Sequence, residues 1–404
     1  MNIKQKYLIA LVIYLIVIFS VEFLYRNKLY ELSVEYISKI EQEGFFYYFY
    51  MFWSYIYLIG VIIIGLIITL FFYPINIFFC HISLLIFFIF FISIFKSLYS
   101  NQRPYWDIYL NWKHDNITLP KPTECDGEFG NPSGHCIIDV YSLFLWHLFI
   151  SSNIFNKMEE NIKKKILKYS SLIITLVCMF FVAYSRIHRQ MHSFNQIIHG
   201  TAIGLALFFI YCYIFEYNKM SLNDFILFLS RFKYIIIPIL LVLYALSVTF
   251  GLTIHNSKED EYLNILREIC GYADENHLFG KNTSMLSSII FIVIGGYLGF
   301  LYINYKINNN EILKKIINNW NKGKIIKIIL IVFFSFLLTS IFLLPFLIIS
   351  SSYYVVKFII FLICSFLYGF LSFGPVFCFA CEKLKRVEFE EQQSLISSEN
   401  NNEI

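Results

Sequence analysis

Three short blocks of this chain carry residue types that chemistry needs. They are Lys96-Ser-Leu-Tyr-Ser-Asn-Gln-Arg103-Pro104, Pro132-Ser133-Gly134-His135 and Ser185-Arg186-Ile-His-Arg-Gln-Met-His192-Ser-Phe-Asn-Gln196. Arg103 and Arg186 offer planar forks matched to phosphate oxygens, and Lys96 offers a point charge. Ser133 and Gly134 open a helix just after Pro132, which adds a hydroxyl, a close backbone approach and N–H groups at a positive helix end. A phosphate monoester must have its charge neutralised before a nucleophile can approach, so phosphoryl transfer is mostly positioning plus electrostatics. His192 is then the candidate nucleophile, attacking phosphorus through a ring nitrogen. His135 is the candidate general acid that protonates the leaving oxygen and afterwards the base that activates water. Gln196, four residues after His192, lies on the same face of a helix and can accept the other ring N–H, which fixes the tautomer. A carboxylate there would also stabilise a charged ring; an amide does not.

Each of these residues alone has a plainer explanation. A lone arginine or lysine at a helix end ordinarily snorkels to the interface, and Ser-Gly-His is a common tripeptide. The coincidence of residue types, spacing and order is what points to a site. The other histidines lack that context. His81, His147 and His199 sit in apolar runs and read as packing or polar contacts, and His114, His255 and His277 read as loop residues. His188 stays open as a substrate contact, since it lies between Arg186 and His192. No Asp/Glu/His cluster has metal-ligand spacing, so the reaction is expected to need no metal and no cofactor, and vanadate is expected to inhibit.

The elements that position these blocks are membrane helices. The chain has 404 residues, 58% hydrophobic and 20% aromatic, with mean hydropathy +0.63. Many runs are long enough for a hydrocarbon core about 30 Å thick. The expected fold is all-α, a polytopic membrane bundle of about ten helices. They are expected near 7–24, 47–72, 76–98, 135–154, 166–184, 197–216, 233–252, 285–304, 326–349 and 353–380. The whole chain, 1–404, reads as a single integral membrane domain, with its motif core at 76–216. The formal charge of +4 is small and forms no basic stripe, which argues against nucleic acid. Lysine and arginine cluster instead at 155–165, 217–232 and 305–325, with Lys4, Lys6, Lys383, Lys385 and Arg386 on the same side. By the positive-inside rule that side is cytosolic. The loops 25–46, 99–134, 185–196 and 253–284, and the three blocks with them, are then lumenal. Two glycosylation sequons, at Asn116 and Asn282, fall in these lumenal loops. The first apolar run reads as an uncleaved anchor, because no small-x-small cleavage site follows it. The tail at 382–404 is polar and expected to be disordered on the cytosolic side. Its Glu391-Gln-Gln-Ser-Leu395-Ile396 is similar to an acidic dileucine sorting signal. Of nine cysteines, Cys125 and Cys270 lie in lumenal loops where oxidation is available, and they form the candidate disulfide.

The three blocks resemble the signature of the type 2 phosphatidic acid phosphatase superfamily, which includes acid phosphatases and vanadium haloperoxidases. That pattern is Lys-x6-Arg-Pro, Pro-Ser-Gly-His and Ser-Arg-x5-His-x3-Asp, and this chain departs from it only where Gln196 stands for Asp. The glucose-6-phosphatase branch is similar at that position. Gln102-Arg103-Pro104-Tyr105-Trp106, Asn116-Ile-Thr-Leu-Pro120, the spacing of Cys125-Asp126 to Pro-Ser-Gly-His, and Ser185-Arg-Ile also resemble that branch. The resemblance is specific over about 90–205. It implies a phosphatase with its site between helix ends at the lumenal face, hydrolysing glucose-6-phosphate or a similar sugar phosphate through a phosphohistidine. It also implies residence in the endoplasmic reticulum and a sugar-phosphate transporter as partner. The alternative is a lipid phosphate phosphatase acting on phosphatidate, sphingoid phosphate or polyprenyl diphosphate, using the same residues and admitting substrate from the surrounding membrane lipids; the tail suggests an endosomal or lysosomal membrane instead. Three departures bear on sugar specificity: a helix at 7–24 added to the branch's usual nine, Asp107 in place of a tryptophan, and the polar stretch His188-Arg189-Gln190.

Overall fold

In a computed structural model the described residues are 3–40, 44–57, 60, 65, 89–114, 127–155, 158–217, 231–253, 258–270, 287–309 and 354–376. Every regular element among them is a helix. They are α1 (Ile3–Ile37), α2 (Gly44–Met51, continued as a π-helix over Phe52–Tyr57), α3 (Ile89–Tyr99), α4 (Pro104–His114), α5 (Gly134–Asn153), α6 (Ile162–His188), α7 (Phe194–Tyr211, continued as a π-helix over Cys212–Tyr217), α8 (Lys233–Thr253), α9 (Glu259–Cys270), α10 (Ile290–Asn309) and α11 (Tyr354–Phe373). Five of them, α1, α5, α6, α7 and α8, are long and apolar enough to cross a membrane. The expected helix at 326–349 and the tail at 382–404 lie outside the described residues, as do half of 47–72 and most of 76–98.

The chain divides into two compact units, and all three motif blocks fall in the first, which comprises Met1–Thr69, Phe88–Ser221 and Leu243–Ser287. Its centre is the packing of α5, α7, α1 and α6. Gly200 and Gly204, one turn apart on α7, let that helix lie directly on the start of α5. A Cβ at Gly200 would stand 2.6 Å from the Ser133 carbonyl oxygen, and one at Gly204 2.8 Å from that of Ile137. Small residues four apart are the common device for close helix approach in lipid, where van der Waals contact replaces the hydrophobic drive. In the second unit α10 and α11 use the same device, with Gly295 against the Phe366 backbone and Gly369 against that of Ile292.

Helix positions at 135–154, 197–216 and 233–252 agree with the apolar runs, whereas the ends of other helices do not. α6 runs on to His188, four residues past its apolar run, so Ser185 and Arg186 are helical rather than loop. Its last turn carries Arg186, a cation that suits the negative end of a helix dipole. α1 runs to Ile37 and not to 24. Residues 25–37 hold no Gly or Pro and are rich in helix formers, but polar, so hydropathy stopped short of them. Polar contacts hold this extension: Glu22 and Arg26 pair in one turn, Tyr30 donates to Asp107 at 2.7 Å, and Phe194 N–H donates to Ser33 Oγ at 2.8 Å.

Two segments expected as loops contain helices. α9 buries Tyr262, Leu263, Ile265 and Leu266 at amphipathic spacing. α4 buries Tyr105, Trp106, Tyr109 and Leu110, and both faces meet Phe129 and Met191 in one cluster. Phe129 sits just before the second motif block and Met191 within the third, so this cluster fastens both loops.

Gly200→Ala is expected to destabilise the protein by about 1–3 kcal/mol, the usual cost of overpacking. Thermal unfolding in detergent checks it; an unchanged midpoint would mean α7 does not lie on the start of α5.

Candidate active site

The third block is a helix end, a tight reversal and a helix start. Gln190 N–H donates to Ile187 O at 2.9 Å and Met191 N–H to Arg186 O at 3.0 Å, the paired bonds of a Schellman turn. Gln190 occupies the left-handed position, φ +61°, where glycine is usual and another residue costs roughly 1–2 kcal/mol. Its carbonyl accepts from Tyr105 N–H at 3.2 Å, so α4 holds the turn in place. The reversal brings His192 N–H to 3.3 Å from the Arg186 carbonyl. Ser193 then caps α7, and Gln196, three residues on, reaches back to accept from Ser193 N–H at 3.3 Å. His192 thus precedes α7 and contacts Gln196 through cap geometry, not across a helical face.

The Gln196 amide is fully committed. Its Nε2 donates to Gln102 O at 2.8 Å, which leaves Oε1 facing His192 Nδ1 at 3.1 Å. An amide oxygen only accepts, so Nδ1 must carry the ring proton and Nε2 the lone pair. Nε2 faces Arg103 Nη1 at 3.5 Å. Arg103 is held by its own donors, Nε to Glu128 O at 2.8 Å and Nη1 to Met191 O at 3.3 Å. Gly130 packs so closely on the Gln196 amide that a Cβ there would stand 2.7 Å from it.

Burial, and then the charges of Arg103, Arg186 and Lys96 with His135, push the His192 pKa well below the usual histidine range. A neutral imidazole is the form that can attack. Arg103 and Arg186 are each 1% exposed and Lys96 6%. Lys96 Nζ pairs with Glu128 Oε2 at 2.6 Å. Ser133 is the N-cap of α5, and its N–H donates to Gln196 O at 3.1 Å, tying the start of α5 to the start of α7. Its hydroxyl makes no capping bond back to the helix. Arg189 stacks on Tyr55 at 4.4 Å, and the Tyr55 ring lies edge-on to His135 with centroids 6.5 Å apart.

A polar frame supports these groups from behind. Asn131, just before Pro132, donates to Glu22 Oε1 and to Asn101 Oδ1, both at 2.9 Å, and its own oxygen lies 3.1 Å from His199 Nδ1. Asp107 accepts from Tyr30 OH at 2.7 Å, Tyr262 OH at 2.6 Å and Gln102 Nε2 at 3.3 Å. Asp107 therefore braces Gln102, whose carbonyl holds Gln196. A cavity of about 680 Å³ lies on this side, lined by Tyr30, Glu31, Gln102, Asp107, Asn111 and Trp112 among others.

Lys96, Arg103, Ser133, Gly134, His135, Arg186, His192 and Gln196 thus come from five helix ends into one region of the first unit. Residues 77–220 match the PAP2 superfamily. No curated protein and no solved structure matches the chain significantly. The PAP2 segment holds every motif residue and supports a phosphatase acting on phosphate esters. Glu128, Tyr55 and Glu22 were not singled out by sequence, because isolated residues outside a recurring motif carry no local signal, and Arg189 was read only as part of a polar stretch. The His188 ring packs tilted against Tyr50 with centroids 4.5 Å apart. His147 meets Ser171 Oγ at 3.1 Å. Asn116, Asn282 and Cys125 lie outside the described residues. Cys270 is disulfide-bonded.

The depressed His192 pKa has a consequence for stability. Below about pH 6.5 the unfolded chain binds a proton at this histidine and the folded chain does not, so stability falls as pH drops through that value. The wild type is expected to lose up to about 1.4 kcal/mol per pH unit more than His192→Gln between pH 6.5 and 5.5. Parallel unfolding curves for the two proteins would contradict a buried neutral ring.

Proposed function

We propose that this chain is a membrane phosphatase that hydrolyses phosphate monoesters through a phosphohistidine on His192, with glucose-6-phosphate or a similar sugar phosphate as its substrate. The observation that carries the reading is the His192 ring, held as the Nδ1–H tautomer by Gln196 with its Nε2 lone pair beside Arg103. In the proposed reaction Lys96, Arg103 and Arg186 take the phosphoryl oxygens, with the Ser133 hydroxyl and the first N–H groups of α5. His192 Nε2 attacks phosphorus; the P–N bond forms as the P–O bond to the leaving alcohol breaks. His135 gives its proton to that oxygen. It then takes a proton from water, whose oxygen attacks phosphorus and releases phosphate and neutral His192. Fixed cations do the charge neutralisation that a metal ion does in other phosphoryl-transfer sites, so activity is expected to persist in EDTA.

The sugar reading draws support from the cavity beside Gln102, whose amide, hydroxyl and carboxylate lining suits a polyhydroxyl leaving group better than an acyl chain. In the full proposal the chain is a bundle of about ten helices in the endoplasmic reticulum, with the site lumenal, Asn116 and Asn282 glycosylated, and a sugar-phosphate transporter supplying substrate.

Phosphate release from purified membranes tests the function. Vanadate-sensitive release from glucose-6-phosphate, lost by at least about 10³-fold in His192→Ala, is the expected result, together with acid-labile ³²P on the wild type alone. Release only from phosphatidate or sphingosine phosphate would keep the nucleophile and overturn the sugar substrate. No release from either, in wild type and mutant alike, would overturn the reading. We further propose Cys125 as the partner of Cys270. Peptide mapping without reductant should find them joined; Cys270 joined to another cysteine would refute the pairing.

A further inference from the structure

Glu128 stands inside the proposed phosphate cradle and is not part of any motif. Its carboxylate holds Lys96 Nζ at 2.6 Å and its carbonyl holds Arg103 Nε at 2.8 Å, so one residue engages two of the three cations. The backbone around it cannot easily move. Phe129 is fully buried in the α4–α9 cluster, and Gly130 donates its N–H to Asn101 O at 2.8 Å while packing on Gln196. The side chain is freer, being 25% exposed where that of Lys96 is 8%. A phosphoryl oxygen bound by Lys96 needs the same ammonium that Glu128 Oε2 now holds. Two anions cannot share it without repulsion in a poorly solvated site.

We propose that Glu128 is a resident counter-anion of the cradle, which must give up Lys96 when a phosphoryl group binds and which selects the singly phosphorylated ester. This rests on the phosphatase reading above and deepens it. Lys96, Arg103 and Arg186 against the one carboxylate leave a net charge of two, matched to a phosphate monoester of about −1.5 to −2, with Arg189 set against the Tyr55 ring. A second phosphate brings further negative charge toward Oε2. Glu128 therefore holds anion affinity in a range from which product can leave, and it disfavours diphosphates. Like-charge juxtaposition of this kind is a recognised source of specificity.

Glu128→Gln tests the proposal, because it keeps the shape and removes the charge. Binding is read first, from the rise in unfolding temperature with vanadate and with inorganic phosphate, which needs no turnover. The variant should bind vanadate about tenfold more tightly, the change expected for about 1.4 kcal/mol. Its KM for the monoester should fall without a matching rise in kcat, since phosphate also leaves more slowly. Its kcat/KM for inorganic diphosphate, relative to the monoester, should rise about tenfold. Glu128→Asp should restore wild-type values, and Glu128→Ala should follow Glu128→Gln. Weaker vanadate binding in both Gln and Ala variants, as in Lys96→Ala, would overturn the proposal and make Glu128 a support for Lys96. Anion binding in the wild type with an unexpected substrate preference would count against the sugar reading alone, and the Glu128 comparison would still be read from vanadate. No anion-induced shift in any variant would overturn both.

Discussion

A single side-chain amide is the joint on which this site depends. Gln196 accepts from Ser193 N–H and from His192 Nδ1–H, and it donates to the Gln102 carbonyl. Each of these bonds is modest by itself, about 1 kcal/mol net. Together they leave the amide one orientation and the histidine one tautomer. Gln102 belongs to the first motif block, Gln196 and His192 to the third, and the Gln196 carbonyl accepts from Ser133 in the second. The three blocks are joined by one residue before any substrate arrives. A site preorganised in this way has no reorganisation left to do at the moment of reaction, which is the usual origin of electrostatic catalysis.

The second constraint is charge. Arg103, Arg186 and Arg189 are all nearly inaccessible to water, and burying a cation without partners costs several kcal/mol. The structure meets that cost with the Glu128 and Met191 carbonyls on Arg103 and with the Tyr55 ring under Arg189, and it sets the Glu128 carboxylate against Lys96. The same crowding of positive charge keeps His192 neutral and makes the cradle receptive to an anion. Stability and function pull on these residues in opposite directions, and Glu128 is where the two meet.

The frame behind the site explains the length of α1. Glu22 is fully buried in its middle and Tyr30 lies two turns on; one holds Asn131 and the other Asp107. A helix that looks by hydropathy like a membrane anchor is a structural wall of the first unit. Asp107 and the helices α4 and α9 belong to the same frame. They turn loops expected to be irregular into packed elements that hold Gln102 and the Gln190 turn.

What the sequence by itself determined is local or compositional. Residue types at short spacing named Lys96, Arg103, Ser133, His135, Arg186, His192 and Gln196, since a cap, a turn or an Arg-Pro step lies within a few residues of chain. Apolar runs of membrane length placed α5, α7 and α8 within a few residues of their ends. The tertiary structure alone decided which polar residues meet. Lys96 and Glu128 are 32 apart in sequence, Asn131 and Glu22 109, and Tyr262 and Asp107 155. No periodicity encodes such pairs. They follow from how closely helices approach, and that was set at Gly200 and Gly204 by the absence of a side chain, a signal with no chemistry of its own until the facing helix is in place.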